Sequence, residues 1–385
     1  MQDVTLPWLL PSGEAAGRDA EGRVHKVANA VPGDLVRLED GGYTVVQPSP
    51  DRRAPPCAWS AACGGCDLDA LTPLARHAAL ARMTARAFRV DEPPAVVPSP
   101  RTTGHRARIK LALREGRVGY HPPRSHDLVE PERCAIARPE VQQAHQVLRE
   151  FVREAPTDGL SSVEIRSDGT RAMFSFEGER VSREARAALA ELGDVALNGK
   201  RIAGEPGLVL SVHAHRLKAR PRSFYQVNLE INALLVAHVR DAVRARGAER
   251  ILDLYAGIGN LSLPLAEDGT PVLAVEWPGP GAADLEENAA GIPNLSTLTC
   301  PVERFDPSRE AFDAVVLDPP RAGARGVLRK LARNRPRFIV YVSCHAPSAA
   351  RDIGELKDYR LTELTCFDLF VDTRHIEAVA ILERG

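Results

Sequence analysis

The chain has 385 residues, enough for two or three domains with a sizeable buried core. Its formal net charge of -1 argues against a uniformly basic nucleic-acid binder, so any contact with RNA must depend on local patches. No apolar run approaches the roughly 18 residues of a membrane-spanning helix, and the first residues lack the pattern of a signal peptide. We therefore expect a cytoplasmic protein with no membrane partner. Its seven cysteines do not indicate a disulfide framework and direct attention to metal binding and catalysis, although Cys300 and Cys366 lie in strand-like runs where a thiol acts as a small apolar residue.

Residues 1 to 50 alternate short strand-prone runs with glycine and proline turns. The runs are RVHKVA, DLVRLE and YTVVQ, and together they predict a small antiparallel barrel. The pieces AGRDAEGRVHKV and VPGDLVRLED resemble the TRAM module, an OB-like barrel that accompanies RNA-modifying enzymes. An unrelated β appendage is the alternative.

A cluster of three cysteines follows a linker rich in proline and charge. Cys57, Cys63 and Cys66 have the spacing C-x5-C-x2-C, so one loop can wrap a metal centre, and the intervening glycines permit tight turns. A closed tetrahedral or cuboidal site needs a fourth ligand, for which Cys134 is the available thiol. The sequence therefore predicts a metal centre held by four cysteines.

Residues 51 to 222 have the texture of a mixed, mainly β domain. Helical spacing of Leu and Ala precedes residue 90, a second helix is predicted over 140–155, and a hairpin is predicted to turn at Glu115-Gly116. The stretch from Arg101 to Arg138 holds nine Lys or Arg residues against four acids. This stretch is a candidate RNA-binding patch, and a solvated face is the alternative.

The segment 251–276 reads as strand, glycine turn, helix and strand. Gly257 and Gly259 would let backbone amides approach a ligand at the start of the helix. Glu276, nineteen residues past Gly257, is placed as an acid that binds the two hydroxyls of a ribose. The pattern predicts a nucleoside cofactor, and an ordinary strand-ending turn is the alternative.

From residue 251 to 357 strand-like and helix-like segments alternate, which predicts an α/β fold with a doubly wound parallel sheet. The last two strands are joined without a helix, so we expect an antiparallel edge. The segment Asp318-Pro319-Pro320-Arg321 follows the run AVVL and places a carboxylate at the carboxyl end of a strand, where such sheets bind ligands.

Cys344 ends the next apolar run, IVYVS, and a helix is predicted to start just after it. A helix N-terminus favours the thiolate, which makes Cys344 a candidate nucleophile, whereas a buried inert cysteine is the alternative. A strand-end cysteine together with Asp-Pro-Pro favours S-adenosylmethionine (SAM) methyltransferases acting on bases over nicotinamide enzymes.

Such a cysteine has a defined use on uracil. Addition of a thiolate to C6 creates an enolate at C5 that can attack the sulfonium methyl, after which a base removes the C5 proton and the thiol leaves. Glu377, an acid inside an apolar strand, is the candidate base, with a structural carboxylate as the alternative. Arg321 replaces the aromatic residue typical of adenine amino-methylating enzymes, and the Asp-Pro segment lacks the cysteine of cytosine-C5 enzymes, so uracil C5 is favoured.

At these residues the chain resembles the RNA uracil-5-methyltransferases of the TrmA/RumA type, in the branch with an iron-sulfur cluster and a TRAM-like domain. The matching pieces are SFYQVN (223–228), DLYAGIGNLSLPLA (253–266), LDPPRAG (317–323), YVSC (341–344) and HIE (375–377). The resemblance implies a Rossmann-like class I SAM domain in which Cys344 is the nucleophile and Glu377 the proton acceptor. The residues expected to bind SAM are Gln226, Tyr255, Gly257, Asn260, Glu276 and Asp318.

The resemblance also implies that Cys57, Cys63, Cys66 and Cys134 hold a [4Fe-4S] cluster, with zinc as the second choice. The chain departs from the family at His345-Ala346, where Asn-Pro is usual, and at Ala256, where cysteine is usual.

Together these features predict a SAM-dependent enzyme that makes 5-methyluridine in structured RNA through a covalent adduct between cysteine and C6. We expect 23S rRNA rather than tRNA as the substrate, and a monomer. The expected domains are a TRAM-like barrel (1–50), an iron-sulfur and RNA-binding domain (51–222) and a SAM-dependent methyltransferase domain (223–385). A catalytically silent iron-sulfur RNA-binding protein and an RNA cytosine-C5 methyltransferase are the alternatives.

Overall fold

The computed structural model of the protein describes residues 2–122, 125, 127–307 and 310–385. Arg124, one of the nine cations of the predicted basic patch, lies outside the described residues.

The N-terminal strands form two three-stranded antiparallel sheets, with strand orders β1-β5-β6 and β2-β3-β4. The strands are β1 (Gln2–Thr5), β2 (Trp8–Leu9), β3 (Ala15–Arg18), β4 (Val24–Val27), β5 (Leu35–Glu39) and β6 (Gly42–Gln47). Both sheets contribute to one small apolar core that includes Val4, Ala15 and Val36. A side chain at Gly17 would place its Cβ 1.9 Å from the carbonyl oxygen of Thr5, so only glycine allows β3 to cross β1. The three runs predicted as strands are β4, β5 and β6, while kinship to the TRAM barrel stays a prediction.

The middle of the chain forms a six-stranded sheet of order β13-β12-β11-β10-β8-β9, covered on one face by the helix α3. The elements of this part of the chain are α1 (Ser60–Cys63), α2 (Pro73–Phe88), β7 (Ala95–Val97), β8 (Arg108–Arg114), β9 (Arg117–Gly119), α3 (Pro139–Glu154), β10 (Leu160–Ser167), β11 (Ala172–Gly178), α4 (Arg183–Ala188), β12 (Val195–Leu197), β13 (Lys200–Ala203), β14 (Leu208–Val212) and β15 (His215–Ala219). Of these, β14 and β15 form a separate strand pair, and β7 belongs to the larger sheet that follows. The predicted hairpin is confirmed: Glu115 and Gly116 both have positive φ and join β8 to β9.

An eight-stranded mixed sheet dominates the rest of the chain, which confirms the α/β class. Its order is β18-β17-β16-β19-β20-β22-β21-β7. The elements are α5 (Leu229–Ala245), β16 (Ile251–Leu254), α6 (Ser262–Ala266), β17 (Val272–Glu276), α7 (Pro280–Ala289), β18 (Leu295–Thr299), β19 (Ala314–Leu317), α8 (Arg325–Asn334), β20 (Phe338–Ser343), α9 (Ala346–Ile353), β21 (Tyr359–Phe367) and β22 (Glu377–Arg384). Short 3-10 helices cover 189–192 and 302–304.

Five adjacent strands of this sheet are parallel, in the order β18, β17, β16, β19 and β20. Alternate residues along these strands enter two separate apolar cores. In β16, for example, Ile251 faces one core and Leu252 the other, as expected for a sheet covered on both faces. The strand order reverses between β16 and β19. This reversal is the position at which open α/β sheets bind ligands beyond the carboxyl ends of their strands.

The last two strands of the chain, β21 and β22, are antiparallel as expected, but they do not form the edge of the sheet. β22 is antiparallel to both of its neighbours, but it lies between β20 and β21 rather than at the edge. The edge strand is β7, which pairs parallel with β21 through Ala95 and Thr365. A three-residue strand more than 260 residues away in sequence gives no local signal of that pairing, so the edge could not be read from the sequence.

Candidate active site and cysteine-lined cavity

The glycine turn after β16 is held to the end of β17 by a single carboxylate. Glu276 accepts a hydrogen bond from the backbone N–H of Gly257 at 2.7 Å. Gly257 and Gly259 both have positive φ, and a Cβ at Gly259 would lie 2.3 Å from the Leu263 side chain. Both glycines are therefore required by the backbone, and Gly259 also by packing. Burial raises the pKa of Glu276, and the Gly257 N–H acts against that rise.

Tyr255 is a non-glycine residue in the left-handed region, with φ of 61°. Such a conformation is uncommon for a bulky residue and is found where the surroundings enforce it, often at functional sites. Its hydroxyl lies 3.2 Å from the carboxylate of Glu303, to which it donates, and its ring packs against the core on the α8 side of the sheet. Burial and the Glu303 charge raise the pKa of the phenol.

Asn260 is paired with a residue that the sequence analysis did not identify. Its amide and that of Asn232, on α5, exchange two hydrogen bonds of 2.8 and 3.0 Å. Each side chain keeps one N–H and one lone pair for a further partner. The pair fixes the glycine turn to α5. In the sequence, the one signal for Asn232 is that it is a polar residue within a largely apolar helix.

Gln226 and Asp318 approach each other from separate segments. The amide nitrogen of Gln226 lies 3.5 Å from a carboxylate oxygen of Asp318, a long hydrogen bond. Burial raises the pKa of Asp318 to about 7. The negative charge of Asp318 also raises the pKa values of Asp253, Cys344 and Glu377.

Asp253 is a buried acid of β16 that the sequence analysis passed over. It is 1% exposed and is hydrogen-bonded to the hydroxyl of Ser262, at the start of α6. Burial raises its pKa to about 7, and the charges of Asp318 and Glu276 act in the same direction. An acid inside an otherwise apolar strand, next to the glycine turn, was the available signal.

The antiparallel placement of β22 brings Cys344 and Glu377 together. Ser343 pairs with Ala378, so the next residues outward, Cys344 and Glu377, lie opposite each other on neighbouring strands. Glu377 is 2% exposed, and its Oε1 is buried with no hydrogen-bond partner within the described part of the chain. A buried carboxylate oxygen without a partner is costly, which argues for a ligand at this position.

Burial acts against ionisation of both groups. Burial raises the pKa of the Cys344 thiol to about 11, and the charge of Glu377 adds to this effect. The expectation that the N-terminus of α9 favours the thiolate stays a prediction, and desolvation of Cys344 acts against it. Burial, followed by the charge of Asp318, also raises the pKa of Glu377 far above its usual value.

Arg321 is a cation close to both of these groups. Its guanidinium contacts the Cys344 thiol and acts to lower the pKa of that group, and it lowers the pKa of Glu377 as well. It also lies 3.4 Å from the ring of His375. The sequence analysis used Arg321 only to exclude a stacking aromatic residue and missed this contact.

The loop that carries Asp318 and Arg321 is fastened to α9 by Asp352. This fully buried carboxylate accepts hydrogen bonds from the Tyr341 hydroxyl at 2.9 Å and the Ala324 N–H at 2.6 Å. A Cβ at Gly323 would lie 2.2 Å from Asp352, which explains the glycine. At the other end of α9, the ring of His345 is hydrogen-bonded to Ser348 at 2.8 Å. The first turn of the helix is therefore closed by a side chain even though His345-Ala346 replaces the usual Asn-Pro.

The four cysteines predicted to bind a metal line one cavity of about 230 Å³. Burial raises the pKa values of Cys63 and Cys66, with the neighbouring thiols adding to the effect. Over the described ranges, no three His, Cys, Asp or Glu side chains lie close enough together to hold a single metal ion as they stand.

None of the helices in the described residues combines the length and apolar composition needed to cross a membrane.

Comparisons with known proteins identify a family. A family model described as tRNA (uracil-5-)-methyltransferase matches residues 301–385. A protein of Edwardsiella ictaluri named 23S rRNA (uracil(1939)-C(5))-methyltransferase RlmD is 33% identical over 420 aligned residues, which cover 99% of this chain and 95% of the relative. The protein of the same name from Pseudomonas putida is 31% identical over 415 residues, which cover 98% and 89% of the two chains.

The fold also matches a solved structure along nearly the whole chain. The Pyrococcus abyssi tRNA (uracil-54, C5)-methyltransferase, in complex with S-adenosyl-L-homocysteine, superposes with a TM-score of 0.83 at 24% identity and covers 99% of this chain and 100% of its own. With relatives above 30% identity over almost their full length, the protein belongs to the family of RNA uracil-C5-methyltransferases.

Proposed function

We propose that the protein transfers a methyl group from SAM to C5 of a uridine in 23S rRNA. The observation that carries the proposal is the Cys344–Glu377 pair, which faces a cleft shared with Asp318 and Arg321. The relatives are named for uracil 1939 of 23S rRNA, so that position is the first to examine. Neither a silent RNA-binding protein nor a cytosine-C5 enzyme is favoured by any of these relatives.

The Cys344 thiolate attacks C6 of the uracil and leaves negative charge on C5 and O4. SAM, when bound, supplies a positively charged methyl donor, and its charge favours the ionised forms of Cys344 and Asp318. After methyl transfer, the Glu377 carboxylate accepts the C5 proton, the C5–C6 double bond re-forms and the bond from sulfur to C6 breaks. Arg321 stabilises the thiolate both before addition and after release.

The target base must leave its stack to reach a nucleophile recessed at a strand end. We infer that SAM occupies the cleft beyond β16, β17 and β19, in a Rossmann-like class I arrangement. Its proposed contacts are Gln226, Tyr255, Gly257, Asn260, Glu276 and Asp318. The closeness of Glu276 and Asp318 to Asp253 supports this assignment, because the charge of each raises the pKa of that buried acid.

We further propose that Cys57, Cys63, Cys66 and Cys134 hold a [4Fe-4S] cluster. One zinc ion needs four sulfurs at about 2.3 Å from a single point, and a cavity of about 230 Å³ among the thiols suits a cuboidal cluster better. One loop of the chain supplies three of the four proposed cluster ligands, Cys57, Cys63 and Cys66. We also propose that residues 1–50 form a TRAM-like domain and that the domain boundaries lie at residues 50 and 222. The protein is proposed to be a monomer.

The decisive experiment combines purified protein, methyl-labelled SAM and 23S rRNA transcribed in vitro. We expect 5-methyluridine in the digested product and no transfer by a Cys344→Ala variant. Label recovered as 5-methylcytidine, or full activity of the variant, would contradict the proposed reaction. Mapping of the modified nucleotide then identifies the target uridine.

A further inference from the structure

The segment 368–376 connects β21 to Glu377, and it is anchored mainly by the residues around the cysteine cavity. The N–H of Leu68 donates to the carbonyl of Asp372 at 2.9 Å. The carboxylate of Asp67 accepts the N–H of Arg374 at 2.8 Å and pairs with its guanidinium. The two residues directly after Cys66 thus hold Asp372 and Arg374, five and three residues before Glu377.

Asp372 makes the closest connection between the two sites. It lines the cavity that contains the four thiols, and its side chain is 1% exposed. Its backbone is left-handed, with φ of 63°. One carboxylate oxygen pairs with the guanidinium of Arg53 at 2.5 Å, whereas the other is buried without a hydrogen-bond partner within the described part of the chain.

Arg53 ties this contact back to the cysteine-rich loop. Its Nε donates to the carbonyl of Asp69 at 2.9 Å, and its backbone N–H donates to the carbonyl of Ala70 at 2.8 Å. The start of the segment is held by Arg76, whose Nε also lies 3.9 Å from a carboxylate oxygen of Asp372. Asp368 accepts two hydrogen bonds of 2.6 and 2.7 Å from the fully buried Arg76 of α2.

Glu377 is the first residue of β22 and pairs with Phe367, so its position depends on the segment that leads into the strand. On the basis of the function proposed above, we propose that Asp372 is a positioning residue for Glu377. Through Asp372 and Arg53, the wall of the cysteine cavity holds the carboxylate where it reaches the C5 proton. The cysteine-rich loop therefore acts on the proton-removal step of the reaction and leaves the addition step to Cys344.

The chemistry makes this role separable from general support of the fold. After methyl transfer the RNA is bonded to Cys344 through C6, and C5 carries both the methyl group and a proton. Removal of that proton gives its electron pair to the C5–C6 double bond and expels the thiolate. If Glu377 is misplaced, addition and methyl transfer continue but elimination slows, and a methylated RNA–protein adduct accumulates.

The test uses the full-length protein with its metal, 23S rRNA transcribed in vitro and labelled SAM. Asp372→Asn removes the charge but keeps the left-handed backbone, which asparagine tolerates. We expect turnover to fall by about tenfold to a hundredfold, as a misplacement of about 1 Å can cause, and the labelled adduct to build up on denaturing gels as it does with Glu377→Gln. Asp91→Asn, at an exposed position away from the segment, is the matched control.

Turnover of D372N within twofold of wild type, or a loss of turnover without adduct, would overturn the inference. If D372N does not fold, Asp67→Asn is tested instead, because it releases Arg374 from the cysteine-rich loop. Turnover and adduct accumulation are measured for this variant in the same way. A wild-type protein that makes no 5-methyluridine refutes the proposed function itself. Normal wild-type turnover with no adduct in either variant refutes only the role of Asp372.

Discussion

The carboxylate of Glu276 accepts the N–H of Gly257 at 2.7 Å, so the acid that ends β17 and the glycine turn that follows β16 form one unit. The backbone N–H of Trp277 is a second donor to this carboxylate. Because burial raises the pKa of Glu276, the group loses its charge, and with it part of any ligand affinity, as the pH falls through that raised value.

We predict that Glu276→Gln weakens binding of S-adenosylhomocysteine by about tenfold to a hundredfold, since a hydrogen bond to a charged group contributes about 1.5–3 kcal/mol. Glutamine can still accept the Gly257 N–H through its carbonyl oxygen, so the loss reports on the charge rather than on the loop. Titration calorimetry measures the effect. Glu286→Gln, on the exposed face of α7, is the control and should bind normally, and equal affinities for all three proteins would remove Glu276 from the site.

A second prediction concerns the ionisation of Cys344. With its pKa raised to about 11, the thiol is almost wholly protonated at pH 7 and its thiolate fraction grows about tenfold per pH unit up to that value. The rate of alkylation by iodoacetamide in the absence of SAM should therefore rise through pH 7 to 10. Mass spectrometry of the peptide that contains Cys344 separates this thiol from the other six cysteines.

Arg321→Ala should slow that alkylation at every pH below about 11, because the guanidinium lowers the pKa of the thiol. Arg325, four residues on, pairs with Glu355 on the surface and is the matched control. If R321A and Arg325→Ala alkylate at the same rate, the contact between Arg321 and the thiol has no effect on reactivity.

The residues that the sequence identified are those whose signals are local. The glycine turn, Asp318 and Cys344 each follow directly on a buried strand, and the carboxyl ends of parallel strands meet at one edge of a sheet. Their placement therefore needed only the alternation of strands and helices, which the structure confirms.

The parts that could not be predicted depend on pairings between distant segments. Cys344 meets Glu377 because β22 inserts between β20 and β21, and the sequence did not indicate that order. The buried pair of Arg76 and Asp368 spans 292 residues. The resting charge of Cys344 also could not be predicted, because desolvation depends on atoms from several segments at once.

Asp352 offers a test of how the loop with Asp318 and Arg321 is held. Asp352→Ala should destabilise the protein by several kcal/mol, since it removes a buried charged acceptor from both the Ala324 N–H and the Tyr341 hydroxyl, at about 1–3 kcal/mol each. Tyr341→Phe removes only one of these hydrogen bonds and should cost about 1 kcal/mol. Urea unfolding measures both, and similar losses in the two variants would show that the Ala324 contact contributes little.

The last prediction distinguishes a cluster from zinc in the cysteine cavity. Protein purified without oxygen should contain about four irons and four acid-labile sulfides per chain, as a [4Fe-4S] cluster requires. Cys66→Ser should lose most of that iron, because Cys66 lines the cavity with the other three thiols. Cys300→Ser, whose thiol lies in a separate pocket beside Arg304, should keep it. Stoichiometric zinc without sulfide would rule out the cluster, since one ion needs no bridging sulfide, and the four thiols would then have to close around the ion and fill the cavity that now separates them.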